Sequence, residues 1–245
     1  MAINKQSNGY TLIYIIVLVA VVGAALAITS MSLAAHKKAN ADADKMRQIL
    51  AAVHVVPEKG QMRQAYDKYI TSTIVVNSKG ETVEGSDAFD IDVAAEVKKP
   101  EAERLLPVYI AKVESGTKYI MPVYGAGLWG PIWGYVAIDA DGSTVYGAFF
   151  GHQGETPGLG AEIEKPGFSE QFNGKELWKN DVFSPVAVVK KGQKPQDDRD
   201  YVDGISGGTI TSKGVSAMLS DCLQPYADFL KKVKDNDVKN AGNNK

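Results

Sequence analysis

Three glycine-rich stretches contain the residues of this chain that could bind a phosphorylated ligand. The last stretch, Asp203–Ser212, reads DGISGGTITS and precedes a long predicted helix. The backbone N–H groups and the dipole of a helix start favour an anion, and Ser206, Thr209, Thr211 and Ser212 add hydroxyl groups. The alternative is an ordinary Ser or Thr cap. Because a cap does not need three consecutive small residues, the pattern favours an anion or another closely approaching ligand.

The middle stretch, Gly151–Gly160, follows a predicted strand and contains too much glycine for a helix. Loops of this composition present backbone N–H groups and a few polar side chains to a ligand. His152 and Glu155 could form an acid–base pair, but a histidine beside a glutamate is more often an ordinary loop residue. The stretch therefore predicts a binding loop rather than a catalytic pair.

The first stretch, Tyr124–Gly134, alternates glycine with aromatic residues between two predicted strands. Such a connection lets a planar ring lie close to the backbone. The alternative, which composition alone favours, is a tight turn with Trp129 and Trp133 in the core. Gly125, Gly127 and Gly130 begin a dinucleotide-like spacing, but Pro131 follows and no helix does, so no NADH site is predicted.

Other patterns that carry chemistry are incomplete. Gly204–Gly208 fits the G-x-S-x-G nucleophile motif, but that fold places its histidine after the serine, and all three histidines precede Ser206. Asp139–Ser143 resembles the start of a calcium loop, but Phe150 replaces the required glutamate. A single cysteine excludes disulfides and cysteine cages, and a net charge of −2 without a basic stripe opposes nucleic-acid binding. We predict no catalytic residue and no metal site.

The elements that must position these residues begin with an apolar segment, Thr11–Leu33. Its 23 residues would span ~34 Å as a helix, enough for the ~30 Å hydrocarbon core of a membrane. Tyr10 and Tyr14 fit one interface, and Lys37 and Lys38 fit the other. A cleaved signal peptide and a buried core helix are the alternatives. The flanking charges alone would place the large domain in the cytoplasm, but long domains translocate regardless of charge, so orientation stays open.

The local patterns predict an α+β fold, in which helices pack on an antiparallel sheet that follows one N-terminal transmembrane helix. Helices are predicted over Asn40–Val53, Gln61–Ile70, Ala94–Leu106 (which Pro100 splits or begins) and Thr211–Val233 (which Pro225 kinks). Strands are predicted over Thr73–Asn77, Val108–Glu114, Lys118–Val123, Ile132–Ile138, Val145–Phe150 and Val182–Val189.

The three stretches behind one anchor resemble the membrane-tethered FMN-binding family, which the NqrC proteins of sodium-translocating NADH:quinone oxidoreductases share with the RnfG proteins of Rnf complexes. Asp203–Thr209 is similar to the family's flavinylation motif, Asp-x-x-Ser/Thr-Gly/Ser-Ala-Thr, whose last threonine carries FMN through a phosphoester. The resemblance implies Thr209, not Thr211, as the acceptor. Gly208 stands where the family usually has alanine.

Two further elements carry the resemblance. Glu155–Gly160 matches the family's ETPGLG loop, which lies along the isoalloxazine ring, and Phe172–Lys175 resembles its FxGK element. Gly127–Gly130 and the short tail favour the sodium-translocating version over the Rnf version. The amides of Gly158–Gly160 and a cation at Lys190 or Lys191 could stabilise a reduced ring, although the lysines could also be an exposed turn. The predicted FMN contacts are Asp203, Ser206, Gly207, Gly208, Thr209, Thr211, Glu155, Thr156, Gly158, Leu159, Gly160, Trp129, Lys175 and Lys190.

The resemblance implies a one-electron relay in a bacterial inner-membrane complex, with a periplasmic domain and covalent FMN that a Mg²⁺-dependent flavin transferase moves from FAD. The implied partners are the bilayer, the transferase and the other membrane subunits. The alternatives are an RnfG protein, a non-redox module that binds a phosphorylated ligand, and a free flavoreductase. The implied organisation is a tail (1–10), a transmembrane helix (11–35), a stalk region (36–106), an FMN-binding domain (107–234) and a flexible polar tail (235–245).

Overall fold

A computed structural model describes residues 7–243 of the chain. The chain divides into two compact units, and the boundary falls between Lys45 and Met46. Helix α1 spans Asn8–Ala51 and begins inside the predicted tail, of which residues 1–6 lie outside the described residues. Within the described residues, α1 is the one helix long and apolar enough to cross a membrane, with a mean hydropathy of 2.8 in its most apolar window.

Five strands form one antiparallel sheet in the order β1-β2-β3-β4-β5, so each strand pairs with the next strand in the sequence. The predicted fold class is confirmed, and the predicted strands from Val108 to Phe150 are correct to within a few residues. Their bounds are β1 (Ile70–Val76), β2 (Leu106–Val113), β3 (Gly116–Ala126), β4 (Pro131–Asp139) and β5 (Val145–His152).

The helices between α1 and the second strand are short. Helix α2 spans Met62–Tyr69, as predicted, and α3 spans only Val93–Glu96. The prediction of a helix as far as Leu106 is wrong, because Pro100 has no N–H to donate and adopts an extended conformation, with ψ at 141°. A 3₁₀ helix at Glu101–Glu103 follows it.

The segment after β5 is irregular. It contains 3₁₀ helices at Gly160–Glu164 and Glu170–Phe172 on either side of helix α4 (Pro166–Ser169). The predicted single strand Val182–Val189 is wrong, because Pro185 interrupts it. The short strands are β6 (Trp178–Lys179), which pairs with β7 (Val182–Phe183), and β8 (Ala187–Val189), which pairs in parallel with β9 (Tyr201–Asp203).

The final helical region is broken at Pro225, as predicted. Helix α5 (Thr209–Leu223) begins two residues before the predicted start, a 3₁₀ turn covers Gln224–Tyr226, and α6 spans Ala227–Asn243. Helix α6 continues through the predicted flexible tail, which is therefore helical from Asp235 as far as Asn243. The seven residues predicted for one apolar face are all buried: Val215, Met218, Leu219, Cys222, Leu223, Tyr226 and Leu230.

The alternation of side chains along the strands gives the sheet an apolar layer on each face. On one face, buried residues such as Val136 and Phe150 belong to the same cluster as Val215 of α5. On the other face, Tyr109 and Ile120 belong to the cluster that includes the last turns of α1. The first face fixes the position of α5, whose N-terminal turn adjoins the glycine-rich stretches.

Candidate functional site

A cavity of about 320 Å³ lies at the N-terminus of α5. It is formed by the end of β8, the turn that follows β8, the glycine-rich stretch before α5, and the first turns of α5. The lining residues are Val188, Val189, Lys190, Lys191, Gln193, Gly204, Ile205, Ser206, Gly207, Thr209, Ser212 and Lys213.

The two candidate acceptor threonines face different surroundings. Thr209 is the first residue of α5, is exposed, and lines the cavity. Thr211 is only 1% exposed, and its hydroxyl donates a hydrogen bond of 2.5 Å to Oε2 of Glu155. Residues two apart in an α-helix are separated by about 200° of rotation, which explains why the two side chains point away from each other. Thr211 therefore does not line the cavity, and its predicted contact with FMN stays a prediction.

The start of α5 leaves donors available to an anion. Gly208 is the N-cap and provides no capping side chain. The first N–H groups of a helix have no partner within the helix, and the helix dipole adds a partial positive charge at this end. An anion in the cavity would meet these donors beside the hydroxyl of Thr209.

The middle and last glycine-rich stretches pack against each other. Gly207 has a φ of +76°, and a Cβ there would lie 2.6 Å from Cδ2 of Leu159. A Cβ on Gly208 would lie 3.2 Å from the backbone nitrogen of Gly160 and 3.1 Å from Cβ of Ile205. The close approach of the two loops therefore depends on glycine at position 207, whereas a Cβ at position 208 would require its neighbours to move by a few tenths of an ångström.

All three stretches meet at one buried carboxylate, that of Glu155, which is 4% exposed. Its Oε2 accepts the bond from Thr211, and its Oε1 accepts a bond of 2.8 Å from the backbone N–H of Trp129. Burial raises the pKa of Glu155, but the hydrogen bonds from Thr211 and Trp129 outweigh burial and hold this pKa below its ordinary value. The carboxylate is therefore ionised and accepts a hydrogen bond from the protein at each oxygen, and its predicted contact with FMN stays a prediction.

His152, the acid–base partner that the sequence disfavours, contacts the backbone of Glu155. Nδ1 of His152 accepts a hydrogen bond of 3.1 Å from the backbone N–H of Glu155, not from its carboxyl group. Nε2 of the same ring lies 3.8 Å from Glu164. His152 thus helps to shape the loop.

The loop amides that the sequence predicts to face a reduced ring are partly used within the loop. The N–H of Gly158 donates to Oε1 of Glu162 at 3.1 Å, and the N–H of Leu159 donates to the carbonyl of Thr156 at 3.1 Å. These bonds close the turn in which Gly158 has a φ of +74°. Thr156 and Gly158 are exposed but do not line the cavity.

Large apolar side chains are exposed on the segments around the cavity. Trp129 is 69% exposed, Ile210 is 57% exposed and Leu159 is 42% exposed. The core position that composition favours for Trp129 is therefore wrong. Trp133 is half-buried, and its Nε1 donates to Oε1 of Gln48 at 3.0 Å.

Three lysines line the cavity: Lys190, which is a predicted ligand contact, Lys191, which is its predicted alternative, and Lys213. The sequence reasoning missed Lys213. Its spacing of four residues from Thr209 could have identified it, because residues i and i+4 share one face of a helix. The three side chains give the cavity a cationic rim.

Two other predicted contacts lie elsewhere. Lys175 and Asp203 line a neighbouring cavity of about 590 Å³, which shares only Gln193 with the first cavity. The backbone N–H of Asp203 donates to Oε1 of Gln171, and its carbonyl accepts from Nε2 of the same side chain. This pairing holds the end of β9, so the structure separates Asp203 and Lys175 from the Thr209 cavity.

The sequence of the chain matches a known protein family. The FMN-binding domain family matches residues 127–224. NqrC, the C subunit of the Na⁺-translocating NADH-quinone reductase, from Yersinia pestis is 32% identical over 97% of this chain and 97% of its own length. Its counterpart from Vibrio anguillarum is 35% identical over 96% of this chain and 98% of its own length. The chain belongs to the NqrC family. The predicted family is confirmed, and with it membership of an oxidoreductase complex.

Solved NqrC structures have the same fold. NqrC from Parabacteroides distasonis is 49% identical, with a TM-score of 0.76, and the match covers 81% of this chain and 96% of that one. NqrC from Shewanella oneidensis is 25% identical, with a TM-score of 0.67, and the match covers 80% of this chain and 99% of that one. The segment that matches the FMN-binding domain contains Glu155 and every residue that lines the Thr209 cavity.

The residues present fit a flavin phosphate. The cavity combines an exposed hydroxyl, three ammonium groups and a helix N-terminus, which are donors suited to a phosphate. Val188, Val189 and Ile205 provide apolar contact in the same cavity. Gly207 lets the loop that carries Leu159 close over this side.

Proposed function

We propose that this chain is the member of a Na⁺-translocating NADH-quinone reductase that carries FMN on Thr209 and relays single electrons between its partners in the complex. The observation that carries the proposal is the exposed hydroxyl of Thr209 at the head of α5, in a cavity with three lysines, while the hydroxyl of Thr211 is buried against Glu155. The sequence motif and the tertiary structure thus favour the same threonine.

The first turn of α5 and the three lysines of the rim would hold the flavin phosphate. In attachment, Oγ1 of Thr209 replaces the adenylate oxygen on the flavin phosphate of FAD. One phosphoester bond forms, the pyrophosphate bond breaks, AMP leaves, and the hydroxyl proton passes to water. The product keeps one negative charge, which the helix N-terminus stabilises by about 0.3–1 kcal/mol and which Lys190, Lys191 and Lys213 complement.

FMN supplies one-electron transfer when it is bound. The chain contributes attachment at Thr209 and an apolar surface at Trp129, Leu159 and Ile210, each of which is exposed beside the site. The carboxylate of Glu155 is held in place by hydrogen bonds from the hydroxyl of Thr211 and the backbone N–H of Trp129. This arrangement suits a carrier that other subunits reduce and oxidise.

The proposal includes the location of the chain in the cell. Helix α1 anchors the chain in the bacterial inner membrane, and the unit from Met46 onward faces the periplasm. A covalent bond then has a clear advantage, because a dissociable flavin would be lost by dilution outside the cytoplasm. The proposed partners are the other membrane subunits, the bilayer, and a flavin transferase for maturation.

Mass spectrometry of the denatured protein, purified from its native membrane, tests the proposal. We expect a gain of one FMN minus water on the tryptic peptide Asp200–Lys213, localised by fragmentation to Thr209. Thr209→Ala abolishes the gain, whereas Thr73→Ala, an exposed threonine on β1, retains it. A gain on Thr211 would correct the site and keep the carrier role. An unmodified wild-type peptide from the native membrane would contradict the carrier role and favour a module that binds its ligand reversibly.

A further inference from the structure

Glu155 has an arrangement that direct contact with a ligand does not explain. Its carboxylate is buried and bound on both oxygens, by Thr211 of α5 and by the backbone N–H of Trp129. The first bond joins residues 56 positions apart in the sequence. One side chain therefore links the three glycine-rich stretches.

The backbone packs closely around the carboxylate. A Cβ on Gly127 would lie 2.5 Å from Oε1 of Glu155. A Cβ on Gly160 would collide with Oε2 of Glu155 and with Oγ1 of Thr211. Glycine at both positions lets two backbone segments close on the carboxylate, which fixes the position of its two oxygens.

The bond to Thr211 is one of the contacts that hold the first turn of α5, beside the bond from the backbone N–H of Ile205 to Oγ of Ser212. Because the rotation between residues two apart is about 200°, a helix that directs Thr211 towards Glu155 directs Thr209 away from it. Lys213, one turn after Thr209, then faces the same side as Thr209, and both line the cavity. A rotation of the first turn would remove both groups from the cavity together.

We propose that Glu155 is the positioning residue for flavin attachment: its bond to Thr211 sets the rotation of the first turn of α5, presents Thr209 to the incoming phosphate and withholds Thr211 from it. This inference rests on the proposed function. Glu155 takes no part in bond making and acts only through the threonine it holds.

The rate and position of flavin attachment to the full-length chain test this role. The chain is produced without flavin, solubilised in detergent, and incubated with a purified flavin transferase, FAD and Mg²⁺. Adduct is measured over time by mass spectrometry of the Asp200–Lys213 peptide. Thr211→Val removes the hydroxyl while keeping the shape, and Glu155→Ala removes the acceptor. We expect each to slow attachment at Thr209 by at least about tenfold, since each removes a buried hydrogen bond to a charged group.

Conservative variants separate positioning from general loss of structure. Thr211→Ser keeps the hydroxyl donor, and we expect it to restore the rate to within about threefold of wild type. Tyr226→Phe is the matched control, because it removes another buried hydroxyl. This hydroxyl donates a hydrogen bond of 2.9 Å to the carbonyl of Pro107, and neither residue lines the cavity. It should leave the rate unchanged. Circular dichroism checks that each variant is folded, and if Glu155→Ala is not, the Thr211→Val and Thr211→Ser pair decides.

The outcomes distinguish this inference from the proposed function. Wild-type rates in Thr211→Val and in folded Glu155→Ala, with adduct on Thr209 alone, would overturn the positioning role and leave the carrier function intact. Adduct on Thr211 in Glu155→Ala would support the positioning role, because the released hydroxyl then competes. Absence of adduct in the wild-type chain would contradict the proposed function itself, and the positioning role with it.

Discussion

The five-stranded sheet and the segment from Trp178 to Thr209 are built in different ways. In the sheet, strands of seven to eleven residues pair with their sequence neighbours and bury an apolar layer on each face. In the segment, the strands are only two or three residues long and form separate two-stranded pairs. One of these is the parallel pair of β8 and β9, which are joined by the turn that carries Lys190. The sheet provides the rigid support, and the irregular segment provides the cavity.

The difference matters for a binding site. A regular ladder uses its backbone N–H and carbonyl groups for itself, whereas loops and helix ends leave such groups available. The cavity is therefore found where β8, its following turn and the start of α5 meet.

Phe150→Ala tests whether the sheet carries the stability. Phe150 is 1% exposed, and its ring centroid lies 5.5 Å from that of Phe168 and 5.1 Å from that of Phe172. We expect the free energy of unfolding in urea to fall by about 3–5 kcal/mol. Val182→Ala, at a side chain 62% exposed in the irregular segment, should cost less than about 0.5 kcal/mol. Equal losses of unfolding free energy in both variants would show that the sheet and the irregular segment contribute equally to stability.

Gly207→Ala tests whether the glycine-rich stretch before α5 needs the backbone conformation that glycine allows at position 207. With a φ of +76° and a Cβ only 2.6 Å from Leu159, an alanine would cost about 1–2 kcal/mol in urea unfolding. We also expect slower attachment of flavin, because Leu159 must move. The matched control is Gly154→Ala, where a Cβ meets nothing within 4 Å. If both variants took up flavin at the wild-type rate, the packing of the two loops would not matter for attachment.

Glu155→Gln tests the charge at the meeting point of the three stretches. Because the folded protein lowers the pKa of Glu155, the carboxylate stabilises the fold above its unfolded pKa of about 4.3, and this contribution is lost as the pH falls through the folded pKa. The difference in urea midpoint between wild type and Glu155→Gln should therefore shrink from pH 6 to pH 3. Glu170→Gln, at an exposed side chain, serves as the control. A difference that does not vary with pH would show that shape, not charge, matters at Glu155.

Lys190→Gln and Lys213→Gln test the cationic rim and should have the smallest effects. In a Thr209→Ala background, where FMN binds only reversibly, we expect each substitution to raise the Kd for FMN by about threefold at low ionic strength. High salt should reduce the effect, because both lysines are exposed. Lys194→Gln, in the neighbouring cavity, should leave the Kd unchanged. An equal effect of Lys194→Gln would place the phosphate nearer to that cavity.

Local sequence patterns are sufficient to predict the regular elements of the fold. Alternation of apolar residues identified the strands from Val108 to Phe150, and helical spacing identified the buried face that begins at Val215. The segment Val182–Val189 was misread because its composition is that of one strand, while Pro185 divides it. Its first part pairs with the adjacent strand β6, whereas β8 pairs with β9, which lies beyond the following turn, and no local pattern reveals this second partner.

Contacts between residues distant in the sequence assemble the site, and local patterns do not predict them. The motif resemblance singled out Thr209, but the burial of Thr211 depends on Glu155, 56 residues earlier in the chain. The same long-range packing brings Lys213 to the cavity and directs Lys175 and Asp203 to its neighbour. The physical reason is that sequence periodicity fixes which face of a helix is apolar, whereas the contacts that orient its first turn come from loops elsewhere in the chain.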